Sequence, residues 1–222
     1  MTTIAIVGNG PTNLLPDLAL YKDLVNIWIG ADRGAYTLIK NQIKPDYAVG
    51  DFDSINVEEK EQIKNYAMNF LEYPVEKDQT DLEIAILKAY ELNPVKIYLF
   101  GVTGGRLDHE LINIQTLYSI MKNQISGVIV DKNNQLEMVT PGRHYLSFDK
   151  NYPTISFVPH TENVDGLTLD GFYYPLVNQT ISWGSTLCIS NKLLLKNGTF
   201  SFSKGILLLI KSRDAIEETI PE

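Results

Sequence analysis

From its amino terminus to about residue 130 the chain alternates short β-rich apolar runs with segments whose apolar positions recur every three to four residues. The runs IAIVG, NIWIG, DYAVG, one near MNFLEY, VKIYLFG and SGVIVD read as strands. Between them, TDLEIAILKAYEL sets Leu82, Ala85, Ile86 and Ala89 on one helical stripe, and RLDHELINIQTLYSIMK does the same with Leu107, Leu111, Ile114 and Tyr118. Strands alternating with helices at this rhythm predict a parallel sheet with crossover helices. After about Asp131 the texture changes to short β-rich runs broken by NN, PG, DG and NG, with no amphipathic helix before the tail, which predicts an antiparallel β-sandwich. The expected fold class is α/β + β, with an α/β domain over residues 1–126 and a β-sandwich over 127–222.

The polar motifs fall at one place in this pattern. In an open parallel sheet, loops and helix amino termini converge beyond the carboxyl ends of the strands, and ligands bind there. GNGP follows the first strand, GADRGA the second, GDFDS the third, PVEKDQTD the fourth and GVTGGRLDH the fifth. Asp32, Asp51, Asp53, Asp78, Asp81 and Asp108 are thereby expected along one acidic edge. In GDFDS, an extended Asp-x-Asp would point both carboxylates the same way, an arrangement that suits a divalent cation; Gly and Asp equally suit a solvated turn. Thr80 and Glu83 have the spacing of a capping box, which is compatible with Asp81 binding a metal. TGGR fits a phosphate-cradling turn with Arg106 as a charged fork, although no GK[ST] follows it. GNGP reads as a simple strand-to-helix turn, and His109 fits either phosphate contact or a structural hydrogen bond in a first helical turn.

Composition narrows the chemistry. Charge of −8 over 222 residues argues against binding a nucleic-acid backbone, which needs clustered Lys and Arg. The single cysteine, Cys188, excludes disulfide frameworks and thiolate metal sites and reads as a small strand residue. No apolar run reaches membrane-spanning length and the amino terminus has no basic region ahead of a long apolar run, so a cytoplasmic protein is expected. Trp28 and Trp183 read as packed strand aromatics.

Taken in order, ADRGAYTLIKNQIKPDYAVGDFDSI, EKDQTDLEIAI and GVTGGRLDHELIN resemble bacterial thiamine pyrophosphokinases, and the resemblance extends to GLTLDGFYYPL and to Ser190 and Asn191 in the second half. It implies an ATP-binding α/β domain followed by a jelly-roll-like sandwich that binds thiamine. The implied reaction moves the β,γ-diphosphoryl group of ATP to the thiamine hydroxyl with Mg²⁺, giving thiamine diphosphate and AMP. The resemblance further implies a homodimer with the thiamine site at the subunit interface. By the same resemblance, Asp51, Asp53 and Asp81 hold Mg²⁺ and, with Arg106, carry catalysis. Asp32, Arg33, Asp78, Thr103, Gly104, Gly105, Arg106, Asp108 and His109 then belong to the nucleotide pocket, and Gln79, Tyr174, Ser190 and Asn191 to the thiamine site, with Tyr173 beside Tyr174. Some relatives carry a tryptophan near the thiamine ring, a place that Trp183 need not occupy. Two other readings stand beside it: a phosphotransferase using the same acidic edge for another alcohol, and a nucleotide-sensing module whose sandwich binds a regulatory partner without turnover, against which GDFDS to KDQTD supplies more carboxylates than nucleotide binding needs.

Overall fold

A computed structural model of the chain describes residues 1–214. Two compact units divide between Lys132 and Asn133. The first contains β1 (Thr3–Val7), β2 (Ile27–Ala31), α1 (Gly34–Lys40), β3 (Tyr47–Gly50), α2 (Val57–Tyr66), β4 (Asn69–Glu72), α3 (Asp81–Glu91), β5 (Lys96–Phe100), α4 (Leu107–Lys122) and β6 (Ser126–Val130). Its strands run in the order β4-β3-β2-β1-β5-β6, all parallel. The expected boundary at 126/127 is therefore displaced: β6 pairs with β5 from Lys96↔Ser126 to Phe100↔Val130 and completes the parallel sheet.

The central strands are fully apolar because helices cover both faces of a parallel sheet. Ile4, Ile6, Val7, Ile29, Ile97 and Leu99 are each completely buried. On α3 the buried residues are Ile84, Ala85, Ile86 and Ala89, so Ile84 takes the place expected for Leu82, which is only half-buried. The stripe expected on α4 is rotated. Leu107 and Leu111 are 69% and 52% exposed, while Leu117 and Ile120 are buried. Two features turn the helix. Gly127 on β6 leaves room for the Leu117 and Ile120 side chains, which lie 3.0 Å from where a Cβ on it would sit, and Asn113 Nδ2 donates to the Val102 carbonyl at 2.8 Å. A polar residue on the buried face thus hides the true stripe.

Helix starts also differ from expectation. Thr80 Oγ1 accepts from Glu83 N at 3.2 Å, which is half of the expected box. The reciprocal box occurs at α2, where Asn56 Oδ1 accepts from Glu59 N at 2.8 Å and Glu59 Oε2 accepts from Asn56 N at 3.4 Å.

Described by itself, the second unit holds β7 (Asn134–Val139), β8 (Gly142–Ser147), β9 (Thr154–Pro159), β10 (Asn163–Asp170), β11 (Leu176–Ser182), β12 (Asn197–Phe202) and β13 (Leu207–Ser212). β7, β13 and β9 form one antiparallel set, and β11-β10-β12-β8 a second sheet. Ile155 and Phe157 of β9 and Leu207 and Leu209 of β13 share one apolar core with Leu146, Leu167, Leu169, Phe200 and Phe202 of the other sheet. Inward residues alternate with outward ones along β9 and β12, as two sheets face to face require. Cys188 is buried as expected but lies in a turn, where burial pushes its thiol up to about 11. Trp28 is packed; Trp183, against expectation, is 75% exposed.

Candidate active site

Strand order reverses between β1 and β5, because the chain winds from β1 out to β4 and then returns to the other side of β1. The crevice beyond such a switch point is the natural ligand site of an open α/β sheet. Here Gly8 N donates to Phe100 O at 2.8 Å and Gly10 N to Gly101 O at 2.7 Å, drawing the two exit loops together. That approach excludes side chains: a Cβ on Gly10 would sit 2.6 Å from Gly101 O. Above these loops opens a cavity of about 530 Å³.

The cavity brings together Asp32, Asp51, Asp81, Thr103, Gly105, Arg106 and His109 of the expected residues. Asp53, Asp78 and Gln79 are exposed and do not line it. Arg33 instead lines a neighbouring cavity and donates to Glu59 Oε1 at 2.8 Å. Gly104 and Asp108 also lie off the wall. Gly104 N donates to Glu110 Oε2 at 2.9 Å, and Asp108 accepts from Arg106 at 3.2 and 2.6 Å. The fork of Arg106 and the first glycine of TGGR are therefore held by the chain's own carboxylates. Thr103 Oγ1 is anchored on Asp131 Oδ2 at 2.9 Å.

GDFDS is not extended. Phe52 has φ +56°, a left-handed conformation rare for a bulky residue, and is held there by burial and by stacking on Phe70 at 4.5 Å. The bend sends Asp51 inward and Asp53 to the surface, with Asp53 N donating to Asp51 Oδ1 at 3.2 Å. Asp51 then meets Lys77, whose ammonium also lies 3.1 Å from Asp81 Oδ1. Burial alone would raise Asp51, but hydrogen bonds from Lys77 and from Asp53 N hold its carboxyl below the ordinary range. Asp81 is pushed up, by burial first and by the Asp51 charge as well, against the Lys77 contact. Lys77, Gly8, Asn9, Gly10 and Asn113 line the cavity and escaped the sequence reading. Gly8, Asn9 and Gly10 belong to GNGP and Lys77 to PVEKDQTD, loops already placed at strand ends, whereas Asn113 lies inside α4 and carried no such signal.

Asp32 is 7% exposed and sits at φ +49°. Its Oδ2 accepts from Ser54 Oγ, which in turn accepts from Asn9 Nδ2 at 3.3 Å, while Oδ1 has no hydrogen-bond partner. Burial pushes its pKa up, and Asp81 and Asp51 push it further. The ionised form therefore costs stability above that raised value, and the cost fades as pH falls through it. Asn tolerates left-handed φ well. Asp32→Asn is expected to melt about 3 °C higher than the parent near neutral pH and to converge with it in acid, as scanning calorimetry across pH would read.

These donors fit a hard divalent cation. Asp51 and Asp81 share one ammonium, which lies 3.1 Å from Asp81 Oδ1 without an aligned hydrogen bond, and Asp32 Oδ1 is buried without a hydrogen-bond partner. Among the described residues no group of three or more carboxylate, histidine or cysteine side chains could hold a metal ion by itself. Mg²⁺ characteristically takes one or two carboxylates and leaves its other positions to water and phosphate oxygens.

In the second unit, Asn191 is 2% exposed and its amide is fully engaged. Oδ1 accepts from Tyr174 N at 3.1 Å and Lys192 N at 2.9 Å, and Nδ2 donates to Tyr174 O at 2.9 Å. It is a brace, and what it braces is the exposed Tyr173–Tyr174 pair, packed edge to face at 5.0 Å. Ser190 is exposed at φ +57°, its N–H donating to Ser156 Oγ at 3.0 Å.

Fold and cavity define a class: a doubly wound parallel α/β unit with an acidic, glycine-lined crevice at its switch point, followed in the same chain by an antiparallel sandwich. Residues 18–129 match the thiamin pyrophosphokinase catalytic domain and residues 143–207 the thiamin pyrophosphokinase vitamin B1 binding domain. Thiamine pyrophosphokinase of Bacillus subtilis is 50% identical over 214 residues, 96% of this chain and all of that one. Its crystal structure superposes with a TM-score of 0.91 at 49% identity, covering 96% and 100% of the two chains. The thiamin pyrophosphokinase structure from Geobacillus thermodenitrificans gives 0.87 at 44% identity, covering 96% and 99%. The chain belongs to the thiamine pyrophosphokinase family and is an enzyme. No helix among the described residues is long and apolar enough to cross a membrane.

Proposed function

We propose that the enzyme transfers the β,γ-diphosphoryl group of ATP to the hydroxyl of thiamine, releasing AMP, in the crevice beyond β1 and β5. The observation that carries this reading is the convergence of Asp32, Asp51 and Asp81 on one glycine-lined cavity, in a chain half identical to a thiamine pyrophosphokinase. Backbone at Gly8, Gly10 and Gly101 lets a polyphosphate approach closely, and His109 and Arg106, once released from Asp108, would supply donors from the same lining. Asp51 and Asp81 would hold Mg²⁺, with Asp32 beside them. Bound there, Mg²⁺ supplies charge neutralisation to the phosphoryl oxygens. The transition state is loose, so the side chains act mainly by positioning the hydroxyl in line with the departing AMP oxygen. The acidic cavity favours the cationic thiamine ring system. Asp53, Asp78, Asp108 and Gln79 act, in this reading, from the rim rather than the wall.

The sandwich would recognise thiamine through the Tyr173–Tyr174 pair, with Asn191 acting indirectly as their brace and Ser190 beside it. Asn191→Ala removes the side-chain partner of three part-buried backbone groups, Tyr174 N, Tyr174 O and Lys192 N. It is expected to raise the apparent KM for thiamine at least about fivefold with little change for ATP, and to cost about 2 kcal/mol of stability. Steady-state kinetics against each substrate and urea titration check both parts. Large exposed apolar side chains in the second unit, among them Tyr145, Trp183, Leu187 and Leu195, support a homodimer with the thiamine site at the subunit interface. We place the enzyme in the cytoplasm.

Incubation with ATP, Mg²⁺ and thiamine tests the function. Equal amounts of AMP and thiamine diphosphate support it; ADP and thiamine monophosphate overturn it.

A further inference from the structure

Lys77, which the sequence reading gave no role, sits in a loop exposed on both sides, and yet has a side chain only 12% exposed. Its ammonium is held between Asp51, at the exit of β3, and Asp81, in the first turn of α3. Packing does not require an amine at this place. Electrostatics does: two carboxylates brought together from separate elements repel until a cation lies between them. One ammonium serves both incompletely. Asp81 Oδ1 has the charge of Lys77 at 3.1 Å but no aligned hydrogen bond, and Asp32 Oδ1, on the same cavity wall, has no donor at all. The cluster of three carboxylates and one amine retains net negative charge and buried oxygens still open to a cation.

We infer that Lys77 is an internal counter-cation that competes with the divalent cation for Asp51 and Asp81. It is a positioning residue: in the nucleotide-free enzyme it keeps both carboxylates aimed at one point. Cation binding displaces its ammonium into the cavity. There it faces the phosphate oxygens, so that a cation arriving with a nucleotide gains a contact that a bare cation does not. The arrangement disfavours bare metal and favours the metal–nucleotide complex. This inference rests on the reading of Asp51 and Asp81 as cation ligands, and the two can fail separately.

Mn²⁺ alone is the probe, titrated into nucleotide-free protein and followed by electron paramagnetic resonance of the free ion. Lys77→Gln is expected to bind Mn²⁺ about tenfold tighter than the parent, because a competing charge has gone, and to turn over at least tenfold more slowly at saturating metal and nucleotide. Lys77→Arg, which keeps the charge, should bind Mn²⁺ as weakly as the parent. A purely structural lysine predicts the reverse for Lys77→Gln, and unchanged or weaker Mn²⁺ binding in folded protein overturns the inference. A second readout uses the unmutated enzyme. In a brief acetic anhydride pulse read by mass spectrometry, Lys77 labelling should rise severalfold with Mn²⁺, and unchanged labelling overturns the inference even if Lys77→Gln does not fold. Asp51→Asn should bind Mn²⁺ at least about tenfold more weakly than the parent. If it binds Mn²⁺ like the parent, the ligand assignment fails instead.

Discussion

Asp51→Asn should retain no more than about one hundredth of the parent's turnover, while its fold survives. The substitution keeps the shape of the side chain and removes its charge from a position that faces the cavity and meets Lys77. A preorganised charge at a transferring phosphoryl group is worth several kcal/mol, which sets a loss of about a hundredfold or more. Stability changes less. Asp51 is held below its ordinary pKa, so its ion pair contributes stability above the unfolded-state value that is lost as pH falls through the folded one. Lys77 keeps Asp81 as a partner after the substitution, which limits the cost to about 1–2 kcal/mol at neutral pH. Asp53→Asn, at the exposed position two residues on, should lose far less activity. Turnover of the two variants across a Mg²⁺ titration checks the contrast, and equal losses would contradict the inward aim of Asp51.

Gly34→Ala is the change expected to damage the fold most. Gly34 opens α1, and a Cβ there would lie 1.8 Å from Val7 O and 2.6 Å from Val7 C. Both are backbone atoms of the central strand β1, so nothing can rotate aside. The helix must lift from the sheet, which costs about 3 kcal/mol or more and lowers the melting midpoint by roughly 6–12 °C. Asp32 stands two residues earlier, so the cavity wall moves with the helix. Gly105 is the control: a Cβ there has no atom within 4 Å, and Gly105→Ala should melt like the parent. Thermal unfolding of the two variants side by side checks the pair.

The parallel strands other than the exposed edge strand β4 were legible because each is a short apolar run closed by a glycine or an acid, a pattern that strands buried on both faces produce. Helix α2 was not. In VEEKEQIKNY only Glu59 and Ile63 are buried, and the fixed point is a cap at Asn56 rather than an apolar stripe. The stripe on α4 misled because Leu107 and Leu111 face outward while Asn113 turns in to the Val102 carbonyl. In the site, Asp32, Asp51 and Asp81 were found from their places at strand ends. Lys77 was not singled out, since its contact with Asp51 exists only after the exit of β3 and the segment before α3 meet. The Asp51–Asp53 pair shows the limit of period-two reasoning: one left-handed residue, Phe52, sends its neighbours to different environments.

The claim on which everything else depends is that the cavity beyond β1 and β5 moves two phosphates together by attack at the β phosphorus. ATP carrying a radiolabel in its β phosphate, incubated with thiamine and Mg²⁺, tests it most directly. The account predicts that the label appears in thiamine diphosphate at the phosphate bonded to thiamine, leaves the AMP unlabelled, and does so at no more than about one hundredth of the rate with Asp51→Asn. Label retained in ADP, with unlabelled thiamine monophosphate formed beside it, would contradict the account.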